Sequence, residues 1–478
     1  MPRRTKIVAT LGPACDDPNV LSAMVAEGLD VVRLNFSHGK HEEMRRRVAT
    51  VREIAAQQGR YVGVLADLQG PKIRIASFRD GEVTLREGQD FAIDATLGDD
   101  DGDETIVGTA YENLHRDVAA GDMLLLNDGQ LRVKVASVDG TRVNTVVEIG
   151  GRLSNKKGIN LQGGGLSAPA LTDKDRDDIR LAAELDADYV AVSFVRSASD
   201  IDEARSLLRD AGGEGRIVAK IERTEAVQNI DEIIRVTDVI MVARGDLGVE
   251  VGYAELTGLQ KRLINRTRRA NKITITATQM MESMIHSAIP TRAEVSDVAN
   301  AVIDGTDAVM LSAETAIGSH PVEVIKAMSA VCQGAEKYHK HHRRTNHRVD
   351  DTFTYVDEAI AMAVMYTANH MDVKAIIAMT ESGSTALWMS RIRSDIPIFA
   401  FTRHEATRRR VTLYRGVYPV SFDITHTESQ RLYADVFDRL LDLGFVEEGE
   451  LVIFTKGDLT GVSGGTNAMK ILRVARLN

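Results

Sequence analysis

Eight short apolar runs constrain this chain more than any other feature. They are Lys6–Gly12, Val31–Ser37, Tyr61–Leu68, Tyr189–Val195, Ile217–Glu222, Val239–Leu247, Ile273–Met280 and Ala308–Ala316. Amphipathic stretches such as Asp200–Ala211 and Leu256–Ala270 lie between most of them. Strand then helix, repeated, implies parallel strands joined by crossovers. Eight such units fit an α/β fold with a closed (β/α)8 barrel, although an open doubly wound sheet shows the same alternation. Several runs end in polar residues: Asn35 and Ser37, Asp67, Glu222, Asp246, Thr278, and Ser312 with Glu314. Barrel active sites lie at that C-terminal rim, which favours the barrel, expected over residues 1–69 and 169–338.

The chain has 478 residues, a length that suggests about three domains. Residues 70–168, between the third and fourth runs, are too many for one crossover. Turn pairs at Arg79-Asp-Gly81, Asn127-Asp-Gly129 and Asp139-Gly140 separate β-type runs there. We expect an inserted, β-barrel-like domain that closes over the rim as a lid and excludes water. Tyr338–Arg348 carries four histidines among basic residues and reads as a solvated linker rather than a metal site. Residues 349–478 alternate helical patterns with apolar runs at Ala375–Met379, Ile398–Phe401 and Leu451–Phe454, as in an open α/β domain. Asp99–Glu104 resembles part of a calcium loop, but Leu97 and Gly108 would fall at its first and last ligand positions. A charged turn is the better reading.

Net charge is −10, which argues against nucleic acid or an acidic membrane as a partner. A phosphorylated ligand must then be held by local positive charge. Two cysteines, Cys15 and Cys332, cannot form a disulfide framework and suit a reducing cytoplasm. We expect no signal peptide and no transmembrane helix.

Two stretches carry the chemistry: Ile217-Val-Ala-Lys-Ile-Glu222 and Met241-Val-Ala-Arg-Gly-Asp-Leu-Gly248. On a strand, Lys220 and Glu222 share a face, and Asp246 falls at the end of the second run. Two carboxylates and an ammonium at strand ends suit a divalent metal with an anionic substrate. Exposed salt bridges at the ends of two buried strands would look the same.

Nine segments together resemble the pyruvate kinase family over nearly the whole chain. They are Thr5–Ala14, Val32–Gly39, Asp67–Arg74, Lys156–Gly158, Lys220–Glu222, Ala243–Gly248, Ala277–Met280, Pro290–Asp297 and Leu311–Thr315. The extra N-terminal helices of some relatives are expected to be absent. The resemblance implies transfer of the phosphoryl group of phosphoenolpyruvate to ADP, giving ATP and pyruvate, in a cytoplasmic and usually homotetrameric enzyme. It implies Mg²⁺, or Mn²⁺ in its place, on Glu222 and Asp246, and a second Mg²⁺ arriving with ADP. Lys220 stabilises the moving phosphoryl group, and Arg33 contacts the substrate phosphate. The backbone of Gly245 and Asp246, with Thr278, takes the substrate carboxylate. A relay through Thr278 and Ser312, with Glu314 nearby, protonates the enolate. Asn35, His38, Arg74 and Lys157 match the nucleotide side. A metal-dependent barrel lyase, or a sensor keeping only the C-terminal phosphate cradle, are the alternatives. Neither needs the whole set.

Most well-known relatives need K⁺, and the resemblance places Asn35, Ser37, Asp67 and the Leu68 carbonyl at that ion. The combination Leu68, Gln69, Lys72 and Ile75 is instead similar to the K⁺-independent branch. A fixed ammonium at Lys72 can take over from a bound cation, unless Lys72 points to solvent. In the last domain, Thr380, Ser382, Gly383, Ser384 and Thr385 resemble a phosphate cradle. There the family binds an allosteric phosphorylated effector. An ordinary Ser/Thr cap is the alternative, and we expect the effector site.

Overall fold

A computed structural model describes residues 2–341, 352–424, 431–458 and 464–476. The histidine-rich segment expected as a linker lies, from residue 342 on, outside the described residues.

Eight parallel strands close into a barrel: Lys6–Thr10, Val31–Asn35, Gly63–Asp67, Tyr189–Val192, Arg216–Ile221, Val239–Ala243, Ile273–Ala277 and Ala308–Leu311. Each pairs with its neighbours in chain order, and Lys6 opposite Ala308 closes the ring. The open-sheet alternative is thereby excluded. Parity explains the burial. Ile7 and Ala9 pack outward with the helices, whereas Val8 joins Leu65, Val218, Met241 and Ile275 in the interior. Such inward side chains fill the barrel rather than leaving a pore. Residues two or four positions further along the same strands reach the rim on the same face, including Arg33, Asp67 and Lys220.

Most strands are shorter than the apolar runs. The run Val239–Leu247 ends as a strand at Ala243, and helix Arg244–Val251 follows. Asp246 therefore sits in the first turn of a helix, where the unpaired N–H groups favour a carboxylate. Apolar character alone does not mark this change, since both elements are buried.

Between the third and fourth barrel strands, the chain forms two β-sheets. One is six-stranded, from Ile159–Leu161 at one edge to Ile106–Gly108 at the other; the second pairs Gly151–Ser154 with Glu82–Leu85. The turn Asn127-Asp-Gly129 has positive φ at all three residues. This connects Met123–Leu126 to Leu131–Asp139 as a tight hairpin, as Asn, Asp and Gly permit. The way back into the barrel passes Gly163, Gly164 and Gly165, at φ of 88°, 85° and 117°. Such a run is permissive only for glycine.

The last domain is a five-stranded sheet in the order Val417–Ser421, Ile398–Thr402, Ala375–Met379, Leu451–Gly457, Thr466–Arg473. The two edge strands escaped the sequence pattern. Pro419 falls within one, and the other intersperses Asn467, Lys470 and Arg473 among its apolar residues, both common on sheet edges. This domain seats on the barrel base. The Tyr189 hydroxyl donates to the Arg410 carbonyl at 2.6 Å, and Arg409 pairs with buried Asp188 at 3.2 Å. Among the described residues no helix is long and apolar enough to cross a membrane. Cys15 and Cys332 are buried free thiols.

Candidate active site

The rim gathers four of the expected side chains into one buried chain of contacts. Lys220 Nζ lies 3.0 Å from Glu222 Oε1 and 3.2 Å from Asp67 Oδ1. Asp67 Oδ2 accepts from Arg33 Nε at 2.6 Å, and Arg33 Nη1 donates to Thr10 Oγ1 at 3.0 Å. Lys220 and Glu222 thus share a face, as their spacing requires. Burial opposes the Lys220 ammonium, but Asp67 and then Glu222 outweigh it and hold its pKa above the ordinary lysine value. Burial likewise opposes ionised Asp67, yet Lys220 and Arg33 keep its carboxyl below the usual range. Glu222 goes the other way: burial raises it, Lys220 pulls it back, and the like charge of Asp246 pushes it up again. Two carboxylates pressed together in a partly dry rim form a donor set that a divalent cation relieves. Among the described residues no group of three metal-type side chains occurs. A divalent cation held by Glu222 and Asp246 would take its remaining positions from substrate oxygens or water, a donor set that Mg²⁺ accepts.

Ser193 was not singled out from the sequence. Its hydroxyl accepts from Lys220 Nζ at 2.6 Å and donates to the Leu68 carbonyl at 2.8 Å. It follows strand Tyr189–Val192, and a polar residue just past a barrel strand was the available signal. The Leu68 carbonyl and Asp67 Oδ2, expected around a monovalent cation, thus already accept from protein groups, whereas Asp67 Oδ1 lies 3.2 Å from the Lys220 ammonium and accepts no hydrogen bond among the described residues. Asn35 Oδ1 accepts the Ser37 N–H at 3.2 Å. Lys72 does not point to solvent. Its Nζ lies 2.9 Å from Asp246 Oδ1 and 3.5 Å from Asp128 Oδ1. Its ammonium therefore ties Asp246 at the barrel rim to Asp128 of the inserted domain.

Thr278 has φ +69° and Gln279 φ +51°. Positive φ in a β-branched residue is costly, on the order of 1–3 kcal/mol, and clusters at functional sites. Arg244 holds this turn. It donates to the Ala277 and Thr278 carbonyls at 3.2 and 2.7 Å and to Asp297 at 2.7 Å. The Thr278 hydroxyl accepts the Gly245 N–H at 2.9 Å and donates to the Ala277 carbonyl at 2.6 Å. Thr278 and Gly245 are thus brought together at the rim. Glu314 is buried, and its oxygens accept the Met281 and Ser312 N–H groups at 3.1 and 2.6 Å. It ties the loops after the seventh and eighth strands. One cavity is lined by Lys72, Asp128, Asp246, Thr278, Ser312 and Glu314.

The nucleotide-side residues are more dispersed. His38 is exposed beside Asn35, its N–H donating to the Asn35 carbonyl at 3.2 Å. Arg74 donates to the Lys156 carbonyl at 3.0 Å and is close enough to Lys72 to oppose its charge. The Lys157 carbonyl accepts the Ile75 N–H at 2.9 Å. In the last domain, Gly383 has φ +87° and donates its N–H to Thr380 Oγ1 at 2.9 Å. Ser384 N donates to Ser382 Oγ at 3.4 Å, and buried Thr385 meets Thr466 at 2.7 Å. Thr380, Ser384 and Thr385 line a pocket together with Arg403 and Lys456. Ser382 faces a second cavity toward the barrel base.

A closed parallel barrel whose rim concentrates lysine, arginine and paired carboxylates beside an inserted β domain defines a class of barrel enzymes suited to anionic substrates. Sequence comparison is specific within that class. Residues 2–325 match the pyruvate kinase barrel domain, and residues 358–472 match the pyruvate kinase alpha/beta domain. The chain is 55% identical over 476 residues to pyruvate kinase II of Salmonella typhimurium, covering 99% of each. It is 51% identical over 462 residues to a Haemophilus influenzae pyruvate kinase, covering 95% of this chain and 96% of that one. A crystal structure of a pyruvate kinase from Cryptosporidium parvum superposes with a TM-score of 0.92 at 33% identity, covering 99% and 96%. The chain belongs to the pyruvate kinase family.

Proposed function

We propose that this protein transfers the phosphoryl group of phosphoenolpyruvate to ADP, giving pyruvate and ATP. The observation that carries the reading is the buried chain Arg33–Asp67–Lys220–Glu222 at the barrel rim, within a family match that spans both domain types. Phosphoryl transfer asks a protein mainly for positioning and charge neutralisation. Lys220, held charged by Asp67, stabilises the moving group and the enolate left behind. Arg33, oriented by Asp67 and Thr10, meets the substrate phosphate. Gly245, Asp246 and Thr278 take the carboxylate end, and Thr278 gives up its bond to Gly245 N–H as it does so. Glu222 and Asp246 hold Mg²⁺, with Mn²⁺ as substitute, and the ion neutralises charge on substrate oxygens. Ser312 and Thr278 move the proton to the enolate, and Glu314 acts by fixing Ser312 through its backbone. Asn35, His38, Arg74 and Lys157 receive the nucleotide, the last two from residues 70–168 acting as a lid over residues 1–69 and 169–338.

Activity without K⁺ is part of the proposal. Its support is the Lys72 ammonium inside the site mouth, where Asp246 and Asp128 hold it charged. The pocket at Thr380, Ser384 and Thr385, with Gly383 and Ser382 shaping its loop, takes a phosphorylated effector. The protein acts as a cytoplasmic homotetramer. The test is pyruvate formation from phosphoenolpyruvate and ADP with Mg²⁺, in K⁺-free buffer and with K⁺ added. Similar rates in both support the kinase and the Lys72 role. Activity only with K⁺ removes the Lys72 role. No activity in either would turn the assignment to a barrel lyase.

A further inference from the structure

The barrel base carries a second concentration of positive charge, away from the catalytic rim. A crevice between the base and the C-terminal domain is lined by Arg4, Arg268, Arg391, Arg393 and Arg415, with Asp307 the one acidic residue among its described lining. The carboxylates at hand are already committed. Asp307 takes both terminal nitrogens of Arg391, one at 2.9 Å, and also accepts the Thr274 N–H at 2.9 Å. Glu336 accepts the Thr5 N–H at 2.7 Å and serves Arg4 at 3.4 Å and Arg415 at 4.0 Å. Arg268 is different. Its Nη1 is buried and has no hydrogen-bond partner among the described residues. A buried donor left unmade costs about 1–3 kcal/mol, more on a charged group.

Arg268 occupies the last turn of helix Tyr253–Arg269, where a cation suits the helix dipole. That accounts for a charge at this position but not for a buried, unpaired nitrogen. The chain makes room for the cluster at Gly305, which caps helix Arg292–Asp304 with φ +98°. A Cβ there would lie 2.7 Å from Arg393 Nη2 and 2.9 Å from Arg268 Nη1. The two guanidiniums therefore crowd one point. Burial lowers the pKa of Arg268 and of Arg393, and neighbouring guanidiniums lower both further, Arg393 to about 10. Like charges brought this close in a half-buried crevice are unfavourable unless an anion sits between them.

We propose that this crevice is an anion site that receives a phosphate group end-on, with Arg268 Nη1 as its ligand and with Arg393, whose Nη2 donates to the Ile303 and Asp304 carbonyls at 3.0 and 2.9 Å, adding positive charge beside it. Planar guanidinium forks match phosphate oxygens in pairs, which a lysine cluster would not do. The enclosed part holds about 20 Å³, room for one water-sized group. One phosphate oxygen enters, and the rest of the group stays at the mouth. The site is separate from both the catalytic rim and the Thr380–Thr385 pocket. It lies beyond the C-terminal end of helix Ser384–Ser390, whose N-terminal end borders that pocket.

The test compares the full-length wild type with Arg268→Gln and Arg268→Lys. Thermal unfolding and calorimetric titration are followed against inorganic phosphate, a simple phosphate monoester and chloride, all at one ionic strength. The wild-type midpoint should rise with phosphate, because a ligand bound only to the folded state stabilises it. Arg268→Gln should lose about tenfold or more in affinity for this phosphate. It should also start from a higher midpoint in anion-free buffer, since a repelling charge has gone. Arg268→Lys should bind weakly, keeping the charge but not the fork. Pyruvate formation should be unchanged in both variants, as neither touches the rim. Tighter binding of the monoester assigns a phosphorylated metabolite, and tighter binding of inorganic phosphate assigns the free ion; either supports the site. Equal phosphate responses in wild type and Arg268→Gln overturn it. So does a chloride response that matches phosphate, which would mean charge screening alone.

Discussion

Glu250 offers a test of how the inserted domain is joined to the barrel. It is buried, and its Oε2 accepts the Thr224 N–H at 2.9 Å. Its carbonyl accepts the Gly163 N–H at 3.3 Å, while Glu225 Oε1 accepts the Gly165 N–H at 2.5 Å. Two acidic residues therefore grip the three-glycine connection. Burial raises the Glu250 carboxyl, the Thr224 N–H lowers it, and Glu225 raises it again, to about 7 from an ordinary 4.5. The folded state thus prefers neutral Glu250. The stability this group contributes is fully present below about pH 4.5 and is lost as pH rises through about 7. A displacement of this size corresponds to about 3 kcal/mol at most. Glu250→Gln mimics the neutral form and keeps an acceptor for Thr224. It should match the wild type near pH 5 and exceed it near pH 8. The expected gain is up to about 3 kcal/mol, on the order of 3 °C in midpoint for 478 residues. Thermal unfolding of both proteins across that range, read by near-ultraviolet circular dichroism, makes the measurement. A stability difference that does not change with pH would refute the reasoning, because the effect would then come from packing rather than ionisation.

Other consequences follow from the rim. Lys72→Glu reverses the charge between Asp246 and Asp128, so K⁺-free activity should fall by tenfold or more, on the order of 1.4 kcal/mol, in steady-state assays. Unchanged K⁺-free kinetics would count against Lys72 as the built-in cation. Asp246→Asn should weaken Mn²⁺ binding by about tenfold or more, read by electron paramagnetic resonance, with Lys72 left paired to Asp128. Thr278→Gly should be more stable than Thr278→Ala by about 1 kcal/mol, although glycine is ordinarily the more costly residue. Both should lose activity, and an alanine variant at least as stable would mean that the positive φ carries no strain. Ser384→Glu places a carboxylate in the C-terminal pocket, and should abolish equilibrium binding of a sugar or nucleotide monophosphate that the wild type binds; retained binding would move the effector elsewhere.

Much of this architecture is legible in the sequence because it rests on periodicity. Eight short apolar runs, buried at nearly every position, fit eight parallel strands covered on both faces, and the helical spacing between them fits crossovers. Parity alone places Lys220 with Glu222, since a strand repeats every two residues. The single long interruption and its Asn-Asp-Gly turn mark the inserted β domain for the same local reason. Where local pattern does not change, it is silent. The passage from strand to helix at Ala243 and Arg244 leaves apolarity unaltered. It is decided by Arg244 reaching the carbonyls of the next strand, a contact 33 residues away in the chain. The edge strand with Pro419 shows too little pattern to be seen. Ser193 joins Lys220 to the Leu68 carbonyl only because three separate strands meet at one rim.

Charge was the least legible property. The sequence lists Lys72, Asp128 and Asp246 far apart and with no order among them. Closure of the barrel and the seating of the inserted domain put the three within one ion-pair cluster. Folding likewise assembles the five arginines at the base from four regions of the chain, each ordinary where it stands. Local sequence determines which backbone each segment adopts and which face it buries, because those follow from neighbours a few residues away. Only the tertiary structure decides which ionised groups share a desolvated space, because electrostatic energy depends on distance through the fold rather than along the chain.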